Sequence, residues 1–175
     1  MLAPEPIIEQ DISIIDPHHH LWLLPERVIA ARAAGGTLLS QALDPMFRRH
    51  ARYLFDEFLA DVRTGHNVHA SVIVDGHAMY RANGPDALKS VGEVEFVNGV
   101  AAMAASGLFG EFRACAGIVG VVDLSLGDAV EEVLTAHLQA GDDRYRGVRS
   151  PAYYDEDPAI LVAGARTRSS QALIP

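Results

Sequence analysis

The sequence is poor in three things: cysteine, long apolar runs and clustered positive charge. Cys115 is the single cysteine in 175 residues, so an intrachain disulfide is excluded, and its place in the apolar run 114–122 suits a small buried thiol without a catalytic role. No stretch approaches the roughly 18 consecutive apolar residues that a membrane-spanning helix needs. Glu5, Glu9 and Asp11 stand where a secretory leader would carry Lys or Arg, which makes the cytoplasm the expected compartment. The net charge of −9 argues against a nucleic-acid partner, because phosphate binding draws on grouped Lys and Arg. The densest basic group, Arg48, Arg49 and Arg52, reads as a solvated helix face.

What the chain does have is an apolar content of 49%, enough for one folded domain with its own core. An apolar segment at 12–15 runs into Asp16-Pro17-His18-His19-His20-Leu21-Trp22, the pattern of a strand ending at a polar rim. Residues 23–52 are mixed, with Gly35-Gly36 as a turn, and read as an excursion with short helical pieces. Leu54, Phe55, Phe58, Leu59 and Val62 then recur at helical spacing, with Gly65 placed for a C-cap. The β-branched run 69–75 predicts a buried parallel strand, and Asp75, His77, Tyr80 and Arg81 gather just past its end.

Ser90 and Glu93 have capping-box spacing before a helix on which Val94, Val97 and Ala101, with Phe96, Val100 and Met103, line one side until Gly107 stops it. A second buried strand at 114–122 delivers Asp123 to the following loop. Val130, Val133, Leu134 and Leu138 predict an amphipathic helix ended by Gly141, and 145–149 a fourth strand. This alternation implies an α/β fold with parallel strands and right-handed crossovers. An open doubly wound sheet and a (β/α)8 barrel share that grammar. A full barrel takes about 250 residues, so the barrel reading makes this chain its truncated N-terminal part, about four βα units. A single domain over 1–175 is expected, with the pattern clearest over 10–155 and a tail over 156–175.

Chemistry concentrates at the end of the first strand. Residues i and i+2 of a strand share a face, so His18 and His20 should converge while His19 turns away. Two neutral imidazoles so placed can hold a divalent ion at about 2.0–2.1 Å each, leaving other positions open. His77 sits on the rim side of the second strand, placed for substrate contact. Arg149 offers a forked donor that suits a substrate carboxylate or carbonyl, and equally a rim salt bridge. Glu93 has a structural reading in the capping box. His50, His66, His69 and His137 are expected at the surface or in packing.

The segment Asp16-Pro17-His18-His19-His20-Leu21-Trp22 closely resembles the opening signature of the amidohydrolase-related barrel proteins, the predicted metal-dependent hydrolases that include sugar lactonases. The resemblance continues through Glu93-Val94-Glu95-Phe96, then 117–124, then Tyr145-Arg146-Gly147-Val148-Arg149, in the family's order. It implies a TIM barrel with its site at the C-terminal strand ends, His18 and His20 as the first metal pair, and Glu93 as a matching site glutamate. It implies a zinc or manganese cofactor, or none, since some similar lactonases do not depend on a metal. The family's further ligands, a histidine from a middle strand and an aspartate from the last, have no assignable counterpart here, so the catalytic proton acceptor is unassigned. The expected function is hydrolysis of a lactone or similar small cyclic ester or amide by activated water. The alternatives are a decarboxylase of the same superfamily and a non-catalytic half barrel that self-associates through open sheet edges. The expected partner is a small-molecule substrate, without nucleic acid or membrane.

Overall fold

A computed structural model describes residues 7–34 and 38–150. The expected Gly35-Gly36 turn and the tail at 156–175 lie outside these residues. Four strands form one parallel sheet: β1 (Ile14–His19), β4 (Val68–Val74), β5 (Arg113–Val121) and β6 (Tyr145–Arg149), in that spatial order. Between β1 and β4 the chain makes β2 (Trp22–Leu23), α1 (Glu26–Ala34), α2 (Leu38–Arg49), β3 (Arg52–Tyr53) and α3 (Phe55–Val62). β2 and β3 pair antiparallel as a small separate sheet. α4 (Val91–Ala105) links β4 to β5, and α5 (Val130–Gly141) links β5 to β6. Both α/β alternation and parallel pairing therefore match expectation. β1 begins two residues later than the apolar run suggested and runs on to His19.

One face of the sheet is sealed by helices. Phe55, Phe58 and Leu59 of α3 and Val94, Val97, Val100, Ala101 and Ala104 of α4 join Ile73, Ala114, Ile118 and Tyr145 of the strands in a single apolar cluster. α3 forms because its apolar side chains recur at i, i+3 and i+4, and Glu57 reaches back to accept the Leu54 N–H at 2.8 Å. The other face carries Ile15, Val72, Val74 and Val119, placed there by the pairings Ile15 with Ala70 and Val74 with Val119. Ile15 is 62% exposed on it, so this apolar face is incompletely covered among the described residues. The Arg48 and Arg52 guanidiniums pair with Glu26 and Asp44 and with Asp56 and Glu57 on exposed surfaces, as a solvated basic group should.

Two local expectations are corrected. Ser90 caps nothing with its side chain: its Oγ lies 2.9 Å from His137 Nε2, and Glu93 points toward the turn after β4 instead of back to Ser90. On α5 the buried stripe runs through Val133 and His137, while Leu138 is 54% exposed. The reason lies in β5 and β6. Gly120 opens a slot in which His137 Nδ1 meets the Tyr145 hydroxyl at 2.8 Å, and a Cβ at Gly120 would come within 2.8 Å of that nitrogen. A polar triad of Ser90, His137 and Tyr145 thus fills a core position that hydropathy alone awards to leucine. α5 ends at Gly141 as expected, and Asp142 just after it takes a positive φ of 47°.

Candidate active site at the strand ends

The parallel sheet points the C-terminal ends of β1 and β4 at one rim, the place where such sheets bind ligands. His18 and His20 converge there, with their Nε2 atoms 3.2 Å apart. His20 Nδ1–H donates to the Val74 carbonyl at 2.8 Å, which fixes its tautomer and leaves the Nε2 lone pair to accept from His18 Nε2–H. The backbone N–H of His18 donates to Asp16 Oδ1 at 3.0 Å, bracing the end of the strand. Burial first, then the neighbouring His18 and Arg149 charges, lowers the His20 pKa despite its bond to Val74. This favours the neutral imidazole, the form that a ligand or hydrogen-bond acceptor needs.

His19 faces the opposite way. It is buried, stacks on Phe58 with ring centroids 4.0 Å apart, and places Nε2 3.0 Å from Ser71 Oγ. Burial depresses its pKa to about 4. Cys115 lies in the same pocket: its N–H donates to Ser71 Oγ at 3.1 Å, and burial pushes its thiol up to about 12. It is a packed, unreactive thiol, as expected.

Two ligands on a tetrahedral ion, each at about 2.0–2.1 Å, stand roughly 3.3 Å apart. The 3.2 Å separation of the two Nε2 atoms fits that bite, and the His20–Val74 bond is the outer contact that ligating histidines typically make. The donor set stops at two: among the described residues, no group of three or more His, Cys, Asp or Glu side chains is placed to hold a metal ion. The histidines alone thus fit half of a metal site.

Beside this pair lies a carboxylate centre built from Asp75 and Glu93. Asp75, only 3% exposed, accepts from Tyr80 Oη–H at 2.9 Å on Oδ1 and from His77 Nδ1–H at 2.5 Å on Oδ2. Glu93 Oε1 accepts the Gly76 and Ala78 N–H groups at 2.9 and 3.3 Å and so pins the turn after β4. Its Oε2 is buried and receives no hydrogen bond. An ionised oxygen stranded like that would be costly, so the site favours the protonated carboxyl. Burial, then its shared hydrogen bond and repulsion with Asp75, pushes Glu93 up to about 9. Burial also works against the Asp75 anion, but hydrogen bonds from His77, Glu93 and Tyr80 outweigh it and hold Asp75 below the usual carboxylate range. Burial and Asp75 together push the Tyr80 hydroxyl above the usual phenol range.

The two groups share one rim. A Cβ added at Gly76 would lie 3.4 Å from His20 Cβ and Nδ1 and 3.6 Å from Glu93 Oε1, so the turn carrying Asp75 and His77 packs directly on His20. Arg149, half-buried at the end of β6, pairs in register with Val121 and acts electrostatically on both His20 and Tyr80. The structure therefore gathers His18, His20, Glu93, His77 and Arg149, the five residues singled out from sequence. It adds Asp75 and Tyr80. The Asp-x-His spacing just past a buried strand was the available signal. Arg81 turns away to pair with Glu95. His137 belongs to the core triad on the helix side of the sheet.

No known protein-family profile matches the chain, and no solved structure matches it. A 149-residue stretch is 29% identical to the uncharacterized protein y4mH of Sinorhizobium fredii (strain NBRC 101917 / NGR234), covering 85% of this chain. That stretch is 43% of the relative, so the chain spans less than half of that protein's length. Among the described residues, no helix is long and apolar enough to cross a membrane.

Proposed function

We propose that this chain carries the first-strand side of a hydrolase site of the amidohydrolase-related type, acting on a lactone or similar small cyclic ester or amide with water as nucleophile. The observation that carries the reading is the convergence of His18 and His20 at 3.2 Å, with the His20 tautomer set by the Val74 carbonyl, at the C-terminal rim of a parallel sheet. In this reading the four strands are consecutive staves of a (β/α)8 barrel. Their spatial order follows their sequence order without reversal, and their helices cluster on one face, which favours a barrel arc over a doubly wound sheet. The half-buried valines of the other face suit a barrel lining.

A divalent ion on His18 and His20, zinc or manganese, would lower the pKa of a bound water toward about 7 and polarise a carbonyl. The chain's own residues do the rest. Arg149 is placed to hold a substrate carboxylate or carbonyl oxygen through its forked donors. Glu93, protonated and fixed by two backbone donors, keeps the turn after β4 seated against His20. The apolar face supports a second reading: with Ile15 62% exposed beside an edge of β1 that no other strand pairs among the described residues, the chain suits association with another copy as a non-catalytic half barrel. Zinc calorimetry on the wild type and on His18→Ala, together with light scattering, separates the two. Stoichiometric binding abolished by His18→Ala supports the hydrolase site. Absence of binding in a self-associated protein supports the assembly reading.

A further inference from the structure

The geometry points to His77 as the general base of this site, held in its working tautomer by Asp75; the inference rests on the hydrolase reading above. Asp75 takes the His77 Nδ1–H at 2.5 Å, so the lone pair lies on Nε2, and the His77 side chain is 53% exposed at the rim. A buried carboxylate, an imidazole bonded through Nδ1 and an open Nε2 are the parts of an orienting acid and a proton acceptor. Tyr80 ties the pair from the other side: its hydroxyl donates to Asp75 Oδ1 at 2.9 Å and lies 3.1 Å from His77 Nδ1. The backbone is bent to make this contact. His77 and Met79 both hold positive φ, 57° and 53°, conformations that non-glycine residues adopt at a cost and that recur at working sites. Gly76, between the dyad members, packs against His20, which puts His77 on the same rim.

The step balances as follows. Water attacks the lactone carbonyl carbon while His77 Nε2 removes one of its protons; the carbon–oxygen bond forms and the carbonyl π pair moves to oxygen. Collapse of that oxyanion breaks the ring carbon–oxygen bond. The His77 imidazolium returns its proton to the departing alkoxide, giving the open hydroxy acid. Asp75 stays ionised throughout and Arg149 holds the substrate oxygen.

The test has two arms on the purified protein. Nitrogen-15 NMR of the imidazoles should show His77 as the Nδ1–H tautomer in the wild type and as Nε2–H in Asp75→Asn, whose amide donates where the carboxylate accepted. An Nε2–H tautomer in the wild type would overturn the assignment without any substrate. In the second arm, a panel of sugar lactones is assayed on the wild type and on His77→Gln, a change at a half-exposed position that leaves the core intact. The expected result is a kcat loss of roughly 100-fold or more with KM within about threefold, the signature of a group acting in the transition state. Equal kcat in the two proteins overturns the base and leaves the hydrolase reading standing. A wild type that opens no lactone overturns both.

Discussion

Glu93→Gln isolates a strongly perturbed, buried carboxyl. In the folded state Glu93 keeps its proton up to about pH 9, whereas in the unfolded chain it releases it near about 4.3. Its folded pKa is raised, so its contribution is full below the unfolded value and is lost as pH rises through the folded one. Between the two, each pH unit favours unfolding by about 1.4 kcal/mol. From about pH 7 to about pH 8.5 the wild type should therefore lose roughly 2 kcal/mol that Glu93→Gln does not lose. At neutral pH the two proteins should lie within about 1 kcal/mol of each other. The glutamine amide can still donate to Asp75 while its carbonyl accepts from Gly76 and Ala78. Urea unfolding followed by circular dichroism at the two pH values gives both numbers. Titrations of histidines and of Cys115 are common to both proteins and cancel in the comparison. Parallel pH profiles for wild type and variant would refute the reasoning, and with it the raised pKa of Glu93.

Tyr145→Phe should destabilise the protein by about 1–3 kcal/mol, since it leaves the buried His137 Nδ1 without its 2.8 Å partner; thermal unfolding measures this. Burial lowers the His137 pKa, so the stability it contributes is present above the ordinary imidazole value of about 6.5 and is lost as pH falls through its lower folded value. His137→Leu should flatten that acid limb in urea titrations, at a neutral-pH cost of order 1–3 kcal/mol for the unpaired Ser90 and Tyr145 hydroxyls. Cys115, fully buried with its thiol pushed up to about 12, should resist iodoacetamide in the native protein and react only on unfolding, as mass spectrometry would show.

The four parallel strands were legible because each is a short β-branched run between helical periods, and the His18/His20 convergence because strand side chains alternate. His19 followed from the same alternation. The partners of Glu93 were not legible. Its spacing from Ser90 fits a capping box, yet its oxygen goes to two N–H groups in the turn after β4, and Ser90 makes no side-chain capping bond. Asp75 was visible as a polar residue past a strand end, but its importance comes from three donors that arrive from the turn and from α4, which no one-dimensional pattern displays. The α5 stripe failed for a related reason: Gly120 and Tyr145, on two different strands, make room and a partner for His137, so the buried face rotates away from Leu138. For Glu93 and the α5 stripe the missing information was a contact between separate elements, and for Asp75 it was the course of the turn after β4.

The most direct test of the hydrolase reading is the rate of lactone opening by metal-depleted protein resupplied with zinc or manganese, compared between wild type and a His18→Ala, His20→Ala double variant. The account predicts turnover that rises on metal addition in the wild type and falls by roughly 100-fold or more in the double variant, while the circular dichroism spectrum is kept. Turnover that is the same with and without the two histidines would contradict it.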